Sequence, residues 1–343
     1  MDFYIYFFII LIFFVLFSQF DKLTLKISIF LFLSVIVFIA GFRSGIGTDY
    51  ENYRGIYQSL SVETYPYLEL GYKYITLFFR NIGLPYEFSV FVFSFITNVL
   101  MYKFIKKHSV DPMASLLLYV LLNYYFIAFN AVRQMLAISI FLNGIDYIWQ
   151  RRYIRFLMML LLASFFHYTI LIAVIYPLFK TKRRYIFLIF WFISLIFIIV
   201  PIQTIIIKII PGSFRYAGYF TSRFFERTSQ LSVFKLFIPN IFVLLAFYYH
   251  KPFKIKNDRF WFNLFIFSIC VANASHGINI LLRLNYVFQI SEIIFYPLFI
   301  SKIKLTQRTS FAYFSVTYFS LFYVFTVIIQ GTQGVVPYQS VLF

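Results

Sequence analysis

Residues 3–20 read FYIYFFIILIFFVLFSQF. No charge interrupts them, and apolar side chains fall on every face instead of alternating, so the stretch reads as a helix whose whole circumference prefers hydrocarbon. Crossing a bilayer core takes about 20 such residues, and only helices and closed barrels satisfy their own backbone groups there. Similar continuous runs recur at roughly 27–41, 87–102, 113–129, 131–149, 185–201, 233–249, 260–275, 281–300 and 310–329. The first run follows no basic segment and precedes no small-residue cleavage pattern, so it is expected as a retained span and not a signal peptide.

Composition agrees with the runs. Of the 343 residues 62% are hydrophobic and mean hydropathy is +0.83, whereas a soluble domain is roughly half apolar. The 51 Phe and 29 Tyr suit lipid-facing spans with Tyr at the headgroup level. The single Cys270 excludes a disulfide framework and a cysteine-based metal site. The expected fold is all-α: a polytopic transmembrane helical protein of about ten full spans plus a short helical hairpin, built as one integral membrane domain over 1–343.

A formal net charge of +18 raises the question of nucleic acid, but a nucleic-acid surface gathers its basic residues in one patch or along one helix. Here they form short clusters between apolar runs: Lys22 and Lys26; Lys103, Lys106 and Lys107; Arg151, Arg152 and Arg155; Lys180, Lys182, Arg183 and Arg184; Lys251, Lys254, Lys256 and Arg259; Lys302, Lys304 and Arg308. Basic clusters flank both ends of 156–179, which favours two short helices bending near His167 over a single crossing. All six clusters, 19 of the 30 basic residues, then share one side, which the positive-inside rule makes cytoplasmic. Both termini are expected outside, together with the segments near 42–86, 130, 167, 202–232 and 276–280. Basic residues in those segments are mostly Arg, the better partner for a phosphate fork.

Five places in these segments carry residues suited to chemistry. Gly41 to Tyr50, followed by Tyr53, combines turn-forming glycines with Arg43, Thr48 and Asp49, a pattern that also suits a plain helix-ending turn. Asn130-Ala131-Val132-Arg133-Gln134 sets an Arg between apolar runs, where it needs a cavity or a partner. His167 stands alone in an apolar stretch, without a second His at ligand spacing; it is either a satisfied structural residue or a base for an acceptor hydroxyl. Arg215, Tyr219, Arg223 and Arg227 share a helix face, as an interfacial anchor or a phosphate and sugar grip. Arg283 lies about a turn inside an apolar run beside Asn285, placed either to snorkel or to hold a diphosphate.

Read in order, Arg43 with Gly47-Thr48-Asp49-Tyr50 and Tyr53, Glu69-Leu70-Gly71-Tyr72, Asn130 to Gln134 with Ala137, Phe166-His167, Arg283 with Tyr286, and Pro337-Tyr338 resemble the EpsG family of Wzy-type polysaccharide polymerases. The resemblance implies a fold like that of the GT-C membrane glycosyltransferases. It also implies a multi-pass protein of the bacterial cytoplasmic (inner) membrane, with its active site facing outward and oligosaccharide repeat units on undecaprenyl diphosphate as substrates. A chain-length regulator and a flippase are the partners it suggests, beside membrane lipid and with no nucleic acid. Such chemistry needs cations for the leaving diphosphate, for which Arg133, Arg215 and Arg283 are the candidates. It needs a base, with His167 first and Asp49 and Glu69 behind it. Arg43, Thr48, Tyr50, Tyr53, Tyr72, Asn130, Gln134 and Tyr286 are the remaining candidates for substrate contact. No cofactor and no metal are expected. Two other readings are a flippase of lipid-linked oligosaccharide, which usually shows repeat halves, and a membrane acyltransferase of surface glycans; neither repeats nor an acyl-donor signal is visible.

Overall fold

The computed structural model describes residues 2–183, 185–200, 233–249, 256–275 and 279–342. They form two compact units, one of residues 1–174 with 305–343 and one of residues 175–304. Among the described residues there is no strand, and the β-type pairing is a single bridge between Arg43 and Ser340.

The first unit contains α1 (Asp2–Phe17), α2 (Lys22–Gly41), α3 (Tyr50–Ser59), α4 (Leu70–Asn81), α5 (Tyr86–His108), α6 (Pro112–Leu121), α7 (Tyr124–Asn130), α8 (Val132–Leu142), the turn α9 (Asp146–Trp149) and α10 (Tyr153–Ser164). Local signals start several of these. Asp21 accepts from the backbone N–H groups of Leu23 and Thr24 at 2.8 and 2.7 Å, and Thr24 Oγ1 accepts from Asp21 N–H at 3.0 Å, closing a reciprocal cap on α2. Asp111 caps α6 through Ala114 N–H at 3.0 Å, with Pro112 in the first turn. A 3-10 helix, Tyr168–Lys180, follows α10 after a break at 165–167 and runs into the second unit. That unit continues with α11 (Tyr185–Ile199), α12 (Val233–Tyr248), α13 (Lys256–Ala274), α14 (Asn279–Gln289) and α15 (Glu292–Lys302). The chain then returns to the first unit as α16 (Leu305–Tyr323), prolonged by a π-helical turn to Ile329.

Ile5, Ile9, Phe13 and Leu16 on α1, Leu23, Ile27, Phe30 and Phe38 on α2, and Ile154, Met158 and Leu161 on α10 are all exposed. Rows of large apolar side chains on the outside of helices, over far more area than a soluble monomer presents, face lipid. The chain is a membrane protein. Three described helices, Lys22–Gly41, Tyr86–His108 and Leu305–Ile329, are long and apolar enough to cross alone, and up to five crossings result if each of two bent pairs is one span. About ten spans were expected, and among the described residues helix breaks interrupt several of the expected runs. The run 113–129 is bent by 51° at Asn123, whose φ of 67° is left-handed. The run 281–300 is bent by 45° between α14 and α15, and 131–149 divides into α8 and α9. Three other expected spans, 3–20, 185–201 and 233–249, appear as the shorter apolar helices Asp2–Phe17, Tyr185–Ile199 and Leu236–Tyr248, and the stretch 156–179, expected as two short helices, divides into Tyr153–Ser164 and Tyr168–Lys180.

Several tyrosines inside the first unit are directed at backbone carbonyls, which offsets the cost of burying a hydroxyl. Tyr4 and Tyr125 donate to Val335 and Ile36 at 2.8 Å, and Tyr323 donates to Tyr4 at 3.0 Å. Asn123 Nδ2 donates to Thr326 Oγ1 at 2.8 Å, joining the bend in α6–α7 to the π-helical turn. In the second unit Trp191, Asn240, Asn273 and Ser194 join α11, α12 and α13 through hydrogen bonds of 2.7 to 3.0 Å.

Candidate active site

Residues 60–86 place a carboxylate against the two candidates read from distant runs. Glu69 precedes α4 and is 3% exposed. Its Oε1 lies 2.7 Å from His167 Nδ1, and its Oε2 accepts a hydrogen bond from an Arg133 guanidinium N–H. The Tyr168 backbone N–H points at Oε1 from 3.4 Å. Arg133 also donates through Nε to the Tyr53 hydroxyl at 3.3 Å, and its guanidinium carbon lies 5.8 Å from the ring centroids of both Tyr53 and Tyr72, within cation–π range. Gln134, one residue on, donates to Thr169 Oγ1 at 3.1 Å. Four chain segments, 50–53, 69–72, 133–134 and 167–169, thus meet in one place.

Backbone contacts hold them there. The Gly71 N–H donates to Phe165 O at 2.8 Å, and a Cβ on Gly71 would stand 2.8 Å from that same oxygen. Only glycine lets the start of α4 lie this close to the break between α10 and the 3-10 helix, where His167 sits. α10 packs on α8, so the end of one helix and the start of the other carry His167 and Arg133 to the same height. At the far end of α5, Lys107 pairs with Asp146, which opens α9 beyond the end of α8.

Burial alone would raise the pKa of the Glu69 carboxyl. The hydrogen bond to His167 and the charge of Arg133 outweigh that effect, and its pKa falls below the ordinary carboxylate value. A depressed carboxylate adds stability that is complete above its unfolded pKa of about 4.3 and is lost as pH falls through the folded value. The difference in thermal midpoint between the native chain and Glu69→Gln in detergent is therefore expected to shrink as pH falls below about 4.3. A difference that kept its full size well below that pH would contradict the ion pair.

The Gly-Thr-Asp-Tyr segment has a different neighbourhood. Gly47 N–H donates to Gly334 O at 2.9 Å, Ser44 N–H to Gln339 O at 3.1 Å, and Val341 N–H to Phe42 O at 3.0 Å, so the C-terminal tail lies along residues 42–47. Asn130 clasps the two together: its Nδ2 donates to Gln333 O at 2.9 Å and to Gln333 Oε1 at 2.7 Å, and its Oδ1 accepts from Asp49 N–H at 3.3 Å. Thr48 is exposed, Asp49 half-buried and Tyr50 buried. Gly334 has φ +63°, and a Cβ on it would meet Thr48 at 3.1 Å. Gly334→Val is expected to cost about 1–3 kcal/mol through that strained backbone, read as a lower thermal midpoint, with loss of whatever activity depends on Thr48 and Asp49.

Arg43 does not reach the Glu69 cluster. It is 2% exposed, donates to Ala40 O, to Ser94 Oγ at 2.8 Å and to Phe129 O at 3.4 Å, and its guanidinium carbon lies 4.5 Å from the centroid of the Phe129 ring. Where the sequence suggested substrate contact, the structure gives Arg43 a position inside the packing of α2, α5 and α7. Arg283 and Tyr286 stand one turn apart on α14 in the second unit, Arg283 exposed. Arg215, with Tyr219, Arg223 and Arg227, lies outside the described residues. The sequence reading missed that Glu69 joins Arg133 to His167, and that Thr169 and Gln333 support Gln134 and Asn130. A carboxylate next to a glycine and an aromatic at a helix start was the available signal for the first.

The family model of the EpsG family matches residues 25–340. No curated protein and no solved structure matches the chain.

Proposed function

Since the chain belongs to the EpsG family, a Wzy-type polymerase-like family, we propose that it joins oligosaccharide repeat units carried on undecaprenyl diphosphate, working at the outer side of the bacterial cytoplasmic membrane. The observation that carries this reading is the Glu69 carboxylate with His167 on one oxygen and Arg133 on the other. A His whose Nδ1–H is held by a carboxylate keeps Nε2 as the basic nitrogen, with the ring turned in one direction.

In the proposed reaction a hydroxyl on the terminal sugar of the acceptor gives its proton to His167 Nε2 while its oxygen bonds to the anomeric carbon of the donor. The bond from that carbon to the diphosphate oxygen breaks, and its electron pair leaves with undecaprenyl diphosphate. Glu69 stabilises the imidazolium that forms. With His167 neutral, the charges of Glu69 and Arg133 cancel, so a departing diphosphate requires at least one further cation. Charge supports placement at the outer side: Arg133 stands at the start of α8, the Lys107–Asp146 pair lies beyond its other end, and Lys103, Lys106 and Lys107 form a cluster expected on the cytoplasmic side.

Expression in cells lacking their own polysaccharide polymerase tests the reading, with surface glycan displayed on a gel. A ladder of lengths supports polymerisation. A single repeat unit on every lipid overturns it, and accumulation of precursor on the inner side favours the flippase.

A further inference from the structure

The aromatic residues expected to meet sugars are mostly closed off: Tyr50 is 1% and Tyr72 3% exposed. The loop that leads into Glu69 presents others. Tyr67 is 55% exposed, and its ring stands edge to face with Tyr65, centroids 5.8 Å apart. Tyr65 in turn packs against the buried cluster that contains Tyr53 and Tyr72, the two rings beside Arg133. Apolar packing therefore continues from the loop surface to the cluster beside Arg133.

This loop is built, not draped. Lys73 on α4 turns its ammonium inward, 6% exposed, and donates to Val62 O at 2.8 Å and Thr64 O at 2.5 Å. Arg80, about two turns further along α4, donates to Leu60 O. Two cations that would ordinarily be solvated instead hold loop carbonyls. Ser61 N–H donates to Thr64 Oγ1 at 2.7 Å, and the Tyr65 hydroxyl bonds Ser59 Oγ at 2.6 Å. Tyr65 itself is held at φ +52°, a conformation that costs a bulky residue energy and that persists only where its surroundings impose it.

We propose that Tyr67, backed by Tyr65, is a stacking subsite for the acceptor oligosaccharide, taking the sugar next to the one whose hydroxyl reacts. The C–H bonds on a pyranose face carry partial positive charge and suit the negative face of an aromatic ring. Tyr67 is two residues from Glu69, at most about 7 Å along the chain, so a sugar stacked on it belongs to the same glycan as one whose hydroxyl reaches His167. A ring fixed on a rigid loop loses little freedom when the glycan binds, which favours retention of a growing chain between transfers. The subsite deepens the polymerase reading and rests on it for the identity of the glycan.

Two measurements on the full chain test the subsite. Tyr67→Trp in detergent is titrated with oligosaccharide fragments cut from the polysaccharide of the cells that make it. A saturable shift in emission relative to the native chain supports the subsite, even in a chain that makes no polymer, which would sink the polymerase reading alone. An unchanged emission beside a normal ladder overturns the subsite and leaves polymerisation standing. In cells, Tyr67→Ala is expected to shift the ladder to shorter lengths at an unchanged amount of protein in the membrane, with Tyr67→Phe restoring native length. Less protein in the membrane with an unchanged length profile would instead make Tyr67 an interfacial anchor and refute the proposal.

Discussion

Glu69→Gln is expected to slow polymer formation in membranes by about 10²- to 10⁴-fold, the range contributed by a positioned general base, with the protein still inserted. The amide keeps the size of the carboxylate but loses its charge. His167 then loses the acceptor that fixes its tautomer and orientation, and Arg133 loses the counter-charge that makes its partial burial tolerable. Both effects act at the same atoms, so the loss should fall on the transfer step and not on the amount of lipid-linked substrate. A ladder forming at the native rate in Glu69→Gln would remove the carboxylate from the mechanism.

Gly71→Val is expected to produce nearly the same loss without touching a titratable group. The new Cβ would lie 2.8 Å from Phe165 O and 3.1 Å from Phe165 Cβ. Because the obstacle is backbone, relief requires the 165–167 break to move away from α4, carrying His167 from Glu69. Displacement of a reacting group by about 1 Å costs on the order of 10²-fold in rate. The check is the rate of ladder formation normalised to inserted protein. Gly55→Val is the control, since a Cβ there meets nothing within 4 Å; equal effects at the two glycines would exclude the steric account.

Much of this was legible in the amino-acid sequence, and the rest had physical reasons to be hidden. Hydropathy sums side-chain transfer free energies, so it reports that 113–129 and 281–300 prefer lipid but not that Asn123 is left-handed or that the chain bends at 290–291. Arg133 and His167 stood out because ionisable groups in apolar runs are expensive. Their convergence on Glu69, across 64 and 98 residues, depends on how α4, α8 and α10 pack, and spacing along the chain carries no record of that. Arg43 goes the other way. An Arg among glycines after a span reads as a ligand group, yet its two terminal nitrogens donate to the carbonyls of Ala40 and Phe129 and to the Ser94 hydroxyl inside the fold. The loop that carries Tyr67 read simply as outward chain, because the lysine and arginine that hold it look like surface charges until their carbonyl partners are known.

What all of this rests on is that Glu69 and His167 act as one device. The most direct measurement compares ladder formation by Glu69→Gln, His167→Ala and the double variant, each at equal protein in the membrane. Members of a catalytic unit are strongly non-additive. The double variant should therefore be no slower than the worse of the two single variants, whereas losses that multiply would mean that Glu69 and His167 serve separate purposes.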